Sequence, residues 1–135
     1  MALLVVGSIL VLAGVYLLLG QIVDDMSSSK WPRNPVPSTA QSRAIGKEIY
    51  QRECLECHGT EGSGDGPRAK EFKSDLDLSS HVLAHPSGEL FVWISNGLGN
   101  DMPAFVDQFT EERRWDLVNY IRTFGQDSLF GTHFH

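Results

Sequence analysis

The sequence has no charged side chain before Asp24, no basic stripe and only two cysteines in 135 residues. Its 11 basic and 17 acidic residues give a formal net charge of −6. Because no positive surface is available to neutralise phosphates, this composition excludes binding to nucleic acid and electrostatic binding to an anionic lipid surface. It favours a protein partner that offers a basic docking face.

The first 23 residues carry no charged side chain and are mostly apolar. Ala2 to Val23 is a run of 22 residues, and roughly 20 apolar residues in a helix cross the hydrocarbon layer of a membrane. A cleaved signal peptide is the alternative, but a basic n-region, a shorter apolar stretch and small residues at a cleavage site are not clear here. We therefore expect a transmembrane helix over residues 1–23 that anchors the chain in the lipid bilayer.

Residues 24–37 contain three consecutive serines and three prolines. This composition predicts an extended tether that does not pack against a domain. Fourteen residues at about 3.1 Å each reach roughly 40 Å at most. Trp31 within the tether has three possible roles: an interfacial anchor, a docking residue or a cover for nearby apolar surface.

Apolar residues recur at helical spacing in the rest of the chain, with no strand-like alternation and no internal repeat. We therefore expect a mostly α domain over residues 38–125 and a C-terminal tail over 126–135. The predicted helices run from a Ser38–Gln41 capping box into Cys54, from Ser87 to about Asn96 before Gly97, and from Thr110 to Gly125.

The two cysteines belong to the segment Cys54-Leu55-Glu56-Cys57-His58, which matches the C-x-x-C-H pattern of c-type haem attachment. Two thiols three residues apart on a helical turn can both reach the haem vinyl groups, and the adjacent imidazole is then directed at the iron. A thioredoxin-like redox pair would need a βαβ setting, and a zinc site would need about four ligands. The segment therefore predicts one covalent haem c bound by Cys54 and Cys57, with His58 as an axial ligand.

The second axial ligand decides between electron transfer and chemistry on a bound molecule, because an open iron can bind small ligands. Met102 is the candidate, since Met1 and Met26 lie outside the predicted domain. A methionine is more often a core residue than a ligand, but Met102 lies in a loop bounded by glycine and proline. A bis-histidine haem is the alternative, although surface positions are the default for the four candidates, His81, His85, His133 and His135.

A glycine run, Gly59, Gly62, Gly64 and Gly66, follows the haem motif and ends at Pro67. It lacks the Gly-Lys-Ser/Thr ending of a phosphate-binding loop and does not follow a strand. We expect these glycines to let the backbone wrap closely around the porphyrin edge. A proximal histidine needs a partner for its second ring nitrogen, and the backbone near Pro67 is the candidate carbonyl.

With Cys54-x-x-Cys57-His58-Gly59 upstream, Met102-Pro103 downstream and a terminal helix of the form Trp-x-Leu-Val-x-Tyr-Ile-Arg, the chain resembles the class I c-type cytochromes over residues 38–125. The resemblance implies a small helical domain around one haem, with His58 and Met102 as axial ligands. It also implies that the first and last helices cross at close contact, through Gly46, Tyr50, Leu117 and Tyr120.

The segments Asn34-Pro35-Val36-Pro37, Gly64-Asp65-Gly66-Pro67 and Gly88-Glu89-Leu90-Phe91 are similar to the monohaem cytochrome c subunit of bacterial alternative complex III. That resemblance implies a relay or exit haem in a quinol-oxidising respiratory or photosynthetic complex, in a subunit that is not itself an enzyme. Its partners would be other subunits of the membrane complex and a soluble or membrane redox carrier.

The same resemblance implies that the haem domain lies on the periplasmic, outer face of the cytoplasmic membrane, where bacteria attach haem c. Lys30 and Arg33 follow the predicted span, and by the positive-inside rule they point weakly to the opposite orientation. We give the site of haem attachment more weight than these two charges.

Two other functions remain open from the sequence. The chain could be an independent tethered shuttle that carries electrons between larger complexes. It could also be a haem enzyme or gas sensor with an open sixth position, which Met102 argues against.

Overall fold

The computed structural model describes residues 11, 12, 14–16, 19 and 30–130, with the backbone alone for 126–130. The chain divides into two compact units, Met1–Trp31 and Pro32–His135. His133 and His135 lie outside the described residues, as do 24–29 of the predicted tether and 131–135 of the predicted tail.

Most of the predicted membrane segment, residues 1–23, also lies outside the described residues. Its six described positions are helical, and the large apolar side chains among them are exposed: Val11, Leu12, Val15, Tyr16 and Leu19. In the part of the chain that is described, no helix is both long and apolar enough to cross a membrane. At the end of this unit, the Lys30 ammonium lies 4.8 Å from the ring centroid of Trp31.

The second unit is built of helices, as the apolar periodicity predicts. Its described residues contain no strand, only two isolated bridges, Ser63 with Asp77 and Leu98 with Met102. The helices are α1 (Ala40–Glu53), α2 (Leu55–His58), a short 3-10 helix (Ala69–Glu71), α3 (Leu78–Ala84), α4 (Ser87–Asn96) and α5 (Glu111–Phe130).

Two of the predicted helices have a side-chain N-cap, and in the first of them the capping residue lies one position later than expected. The hydroxyl of Thr39, not that of Ser38, accepts the backbone N–H of Ser42 at the start of α1. Thr110 accepts the N–H of Arg113 at 3.4 Å, as predicted for α5. Helix α4 has Pro86 at its N-cap position instead of Ser87 and ends at Asn96, with Gly97 at φ 78°.

The predicted end of α5 at Gly125 is wrong, because the helix continues to Phe130. Gly125 is not among the glycines with positive φ, so it does not turn the chain. A Cβ added to it would lie 2.9 Å from Val82 Cγ2 and 2.8 Å from Leu83 Cδ2. The glycine therefore allows α3 to pack closely against α5.

Helices α1 and α5 cross at Gly46, the close contact that the resemblance implies. A Cβ at Gly46 would overlap the backbone carbonyl of Asp116 and lie 2.8 Å from Tyr120 Cβ. One turn further along, the rings of Tyr50, Tyr120 and Phe124 pack edge to face, with centroids 5.2–5.4 Å apart. This crossing forms the centre of the core and holds Tyr50, which is 1% exposed, beside the cysteine motif.

A buried polar network joins the same two helices to the segment that precedes α1. Ser42 donates to Asp116 at 2.6 Å, and Asn119 donates to Ser42 and to the Val36 carbonyl. Asn34 in turn donates to the Asn119 side chain at 2.8 Å. The prediction that residues 24–37 do not pack against the domain is therefore wrong for Asn34–Val36. These residues are bound because the buried side-chain amide of Asn119 needs hydrogen-bond partners.

Candidate haem-binding site

The two cysteines lie at the junction of α1 and α2. Cys54 ends α1 through its N–H bond to the Tyr50 carbonyl, and its own carbonyl accepts the N–H of His58. Both thiols are free and half-buried, and burial raises the pKa of Cys54 to about 12. Because α2 is one turn long, Cys54, Cys57 and His58 are within one turn of each other, as the motif spacing predicts.

Tyr50 connects the motif to the core. Its hydroxyl donates to the Gly59 carbonyl at 2.6 Å, directly after His58. Burial raises the pKa of Tyr50 well above its usual value, so the hydroxyl stays protonated and remains a donor. The crossing of α1 and α5 thereby fixes the end of α2.

A cavity opens beside the motif. Its inner part has a volume of about 110 Å³ and its outer part about 320 Å³, and ligand pockets usually measure about 300–1,000 Å³. Five residues line both parts, which makes them one continuous site: Cys54, His58, Asp75, Leu98 and Met102. The inner walls are mostly apolar, formed by Leu78, Leu90, Trp93, Ile94, Leu117 and Ile121 among others.

His58 is held by a backbone carbonyl, but not by one near Pro67. Its Nδ1 lies 2.8 Å from the Leu76 carbonyl, and Pro67 is exposed, so the predicted role of Pro67 is wrong. Burial lowers the pKa of His58; the bond to Leu76 opposes this effect, and the charge of His81 adds to it. A neutral ring that donates from Nδ1 leaves Nε2 with the lone pair that a metal requires.

Met102 lies in a short closed loop at the end of α4. Its N–H and carbonyl pair with the carbonyl and N–H of Leu98 at 3.2 and 3.1 Å. The N–H of Phe105 bonds to the Ile94 carbonyl, which attaches the far side of the loop to α4. Across the outer cavity, Ser74 donates to Asp101 at 2.5 Å. Met102 is therefore positioned by backbone bonds on both sides, not by apolar packing alone.

The glycines of the run pack against the protein, and none of them lines either part of the cavity. A Cβ at Gly66 would lie 2.5–2.7 Å from backbone atoms of α2, and the N–H of Arg68 donates to the Glu56 carbonyl of that helix. A Cβ at Gly62 would lie 2.7 Å from the Phe124 ring. Gly66 therefore allows close packing against α2, and contact of the run with the porphyrin edge stays a prediction.

His81 is the cavity residue that the sequence does not reveal, because its helical position looks like an ordinary surface site. It lines the inner part, with Nε2 3.6 Å from Asp75 Oδ2 and its ring edge to face with Trp93. His85, one turn later, pairs with Glu89 at 3.0 Å and is not among the lining residues. The sequence does not distinguish the two histidines, because which of them lines the cavity depends on how α3 packs.

The residues present fit haem c. Two thiols, a histidine fixed through Nδ1 and a methionine fixed through its backbone border one apolar cavity, which is the donor set of a c-type site. Carboxylates at the outer part, Glu53, Asp75 and Asp101, make this side of the cavity acidic.

Known proteins with the same features are c-type cytochromes. The family described as cytochrome c oxidase, cbb3-type, subunit III matches residues 41–121, more than half of the chain. A chain of the Kuenenia stuttgartiensis reducing HAO-like protein complex Kustc0457/Kustc0458 is 30% identical with a TM-score of 0.60, over 67% of this chain and 46% of that one. The KustC0563 c-type cytochrome shares the fold at 21% identity and a TM-score of 0.52, over 58% of this chain and 95% of that one. No curated protein matches.

Proposed function

Because this chain belongs to the family of cytochrome c oxidase, cbb3-type, subunit III, we propose that it is a monohaem cytochrome whose iron has Met/His ligation. A cytochrome c domain implies covalently bound haem c and electron transfer. The finer proposal rests on one observation: His58 and Met102 line both parts of the cavity that the motif cysteines border.

Cys54 and Cys57 would hold the haem through thioethers, formed by adding each S–H across a vinyl double bond. His58 would bind the iron through Nε2, since Nδ1 is engaged by the Leu76 carbonyl. Met102 would supply the second axial ligand from its closed loop. The haem would supply one-electron chemistry, and the bonds to His58 Nδ1 and to the Met102 backbone would hold the two ligand residues in place.

Met/His ligation leaves no open coordination position, which favours electron transfer over catalysis or gas sensing. The test is the near-red sulfur-to-iron charge-transfer band of the oxidised chain. Met102→Ala should abolish that band and let added ligands bind the iron, whereas the control Met26→Ala should keep it. If the intact protein lacks the band, methionine ligation is wrong, and the bis-histidine and open-site alternatives return.

We propose that residues 1–23 anchor the chain and that the haem domain lies on the periplasmic face of the cytoplasmic membrane. The exposed apolar residues at the helical positions 11, 12, 15, 16 and 19 support the anchor. Because Asn34 is bound to the domain, the proposed tether is shorter than residues 24–37, and its reach is less than the roughly 40 Å expected for that whole segment. Deleting residues 1–23 should release the haem protein from washed membranes, whereas Trp31→Ala should leave it bound.

We further propose that the chain is a relay or exit subunit of a quinol-oxidising membrane complex of the alternative complex III type. The acidic outer cavity supports a partner with a basic face. A relative at 30% identity is named as part of a protein complex, although this chain spans less than half of its length.

Purification in mild detergent distinguishes a subunit from a tethered shuttle. A subunit should co-purify with stable partners in a constant ratio and show one native mass. If the chain is always released alone, the subunit proposal fails and the independent shuttle is favoured.

A further inference from the structure

We propose that His81 holds a propionate of the haem and thereby raises the reduction potential of the iron. This inference rests on the proposed haem site. Haem brings two carboxylates into a cavity with mostly apolar walls, and a carboxylate requires hydrogen-bond donors or a cation where it is partly buried.

The described cavity lining offers few groups that could meet a carboxylate. Glu53, Asp75 and Asp101 are themselves acidic, and the Ser74 hydroxyl already donates to Asp101. In the inner part, the Tyr50 hydroxyl donates to Gly59. Apart from the ligand His58, His81 is the one lining residue in the described chain that can carry a positive charge.

The surroundings of His81 suit this role. Its side chain is 34% exposed, so it lies between the apolar interior and solvent, where the polar end of a haem must end. Asp75 Oδ2 lies 3.6 Å from its Nε2, beyond the length of a hydrogen bond. The ring of Trp93 lies edge to face with His81, at a centroid distance of 6.4 Å, and supports its orientation.

A charge at His81 acts on the iron as well as on the propionate. His81 and His58 line the same inner part of the cavity, so a positive charge on His81 lies near an iron held by His58. Such a charge disfavours the higher charge of oxidised iron and stabilises the reduced state.

The test compares His81 in α3 with His85, the residue that follows the end of that helix, in the full, haem-loaded chain at about pH 5.5, below the ordinary histidine pKa of about 6.5. His81→Leu removes a hydrogen-bond donor and a charge. His85→Leu is the control, because the His85 ring also contacts Trp93 and His81 but does not line the cavity. At a fixed applied potential, His81→Leu should lower the ratio of reduced to oxidised protein about tenfold, which is 59 mV for one electron. His85→Leu should change it less than threefold, and His81→Lys should recover most of the loss.

A second measurement identifies the propionate itself. Redox-difference infrared spectra of chain loaded with haem labelled at the propionate carboxyl carbons should show carboxylate bands that move in His81→Leu but not in His85→Leu. An unchanged potential in His81→Leu, or equal effects of the two leucine variants, overturns the inference. If the near-red band is present in those samples, the proposed Met/His site stands while the role of His81 falls.

Discussion

Replacing Gly46 with alanine tests whether the crossing of α1 and α5 supports the haem motif. A Cβ at this position would overlap the Asp116 carbonyl oxygen and lie 2.7 Å from its carbon. These are backbone atoms, which cannot rotate away, so the two helices must separate. Gly125→Ala is the matched control, because the nearest atoms there belong to side chains, including Leu83, which is 51% exposed.

Both variants gain about 1 kcal/mol of helix propensity, since alanine is favoured over glycine inside a helix. At Gly46 that gain is outweighed by overpacking, which costs about 1–3 kcal/mol or more. Separation of the helices also lengthens the buried bond from Ser42 to Asp116, 2.6 Å in the native fold, worth about 1 kcal/mol. We therefore expect Gly46→Ala to lower the unfolding free energy by about 1–3 kcal/mol in total, and Gly125→Ala to stay within about 1 kcal/mol of the native chain.

Thermal unfolding of the haem-loaded chain, followed by far-ultraviolet circular dichroism, measures this difference. For a domain of about 100 residues, 1 kcal/mol corresponds to about 4–8 °C in Tm. Gly46→Ala should therefore unfold at least about 4 °C below the native chain. A Gly46→Ala protein as stable as the native one, or an equal loss in Gly125→Ala, would refute the account of the crossing.

Three further substitutions have defined expectations. Tyr50→Phe leaves the Gly59 carbonyl without its donor and should lower the unfolding free energy by about 1–3 kcal/mol in guanidinium titrations. Asp77→Ala removes the cap of α3, worth about 1 kcal/mol near pH 7. The hydrogen bonds from Ser79 lower the pKa of Asp77, so this contribution is complete above the ordinary value of 3.8 and disappears as pH falls through the lowered value. Asn34→Ala should cost about 1–2 kcal/mol and speed proteolysis within residues 24–37, measured by gel and mass spectrometry.

Each of these expectations has a control. Tyr120→Phe removes a hydroxyl from the same aromatic cluster without touching Gly59, and should cost less than Tyr50→Phe. Asp77→Asn keeps a capping side chain and should retain most of the stability while losing the acid dependence. Asn100→Ala changes an exposed asparagine and should leave proteolysis unaltered; equal rates for Asn34→Ala and Asn100→Ala would contradict the docking of the segment.

The local features of this protein could be predicted because they depend on neighbours in the chain. The spacing of Cys54, Cys57 and His58 places them on one turn. Helix α4 ends before Gly97, because a glycine readily adopts the positive φ that stops a helix. The mostly helical domain follows from apolar periodicity. The predicted end of α5 failed because Gly125 has the same sequence signal as a helix stop but serves a close contact with α3.

The remaining features depend on which surfaces meet. No spacing rule predicts that the Leu76 carbonyl, instead of one near Pro67, accepts the hydrogen bond from His58 Nδ1. A backbone carbonyl in a loop has no side chain that would identify it in the sequence. The same holds for Asn34, whose partner Asn119 lies 85 residues away. It also holds for His81, which lines the cavity while His85, just after the end of α3, does not. The sequence by itself determined the residues for covalent haem attachment, because the spacing of the two thiols and the imidazole is a local property of the chain. Packing decided the environment of the iron ligands, because burial, hydrogen bonds and nearby charges come from residues brought together only by the fold.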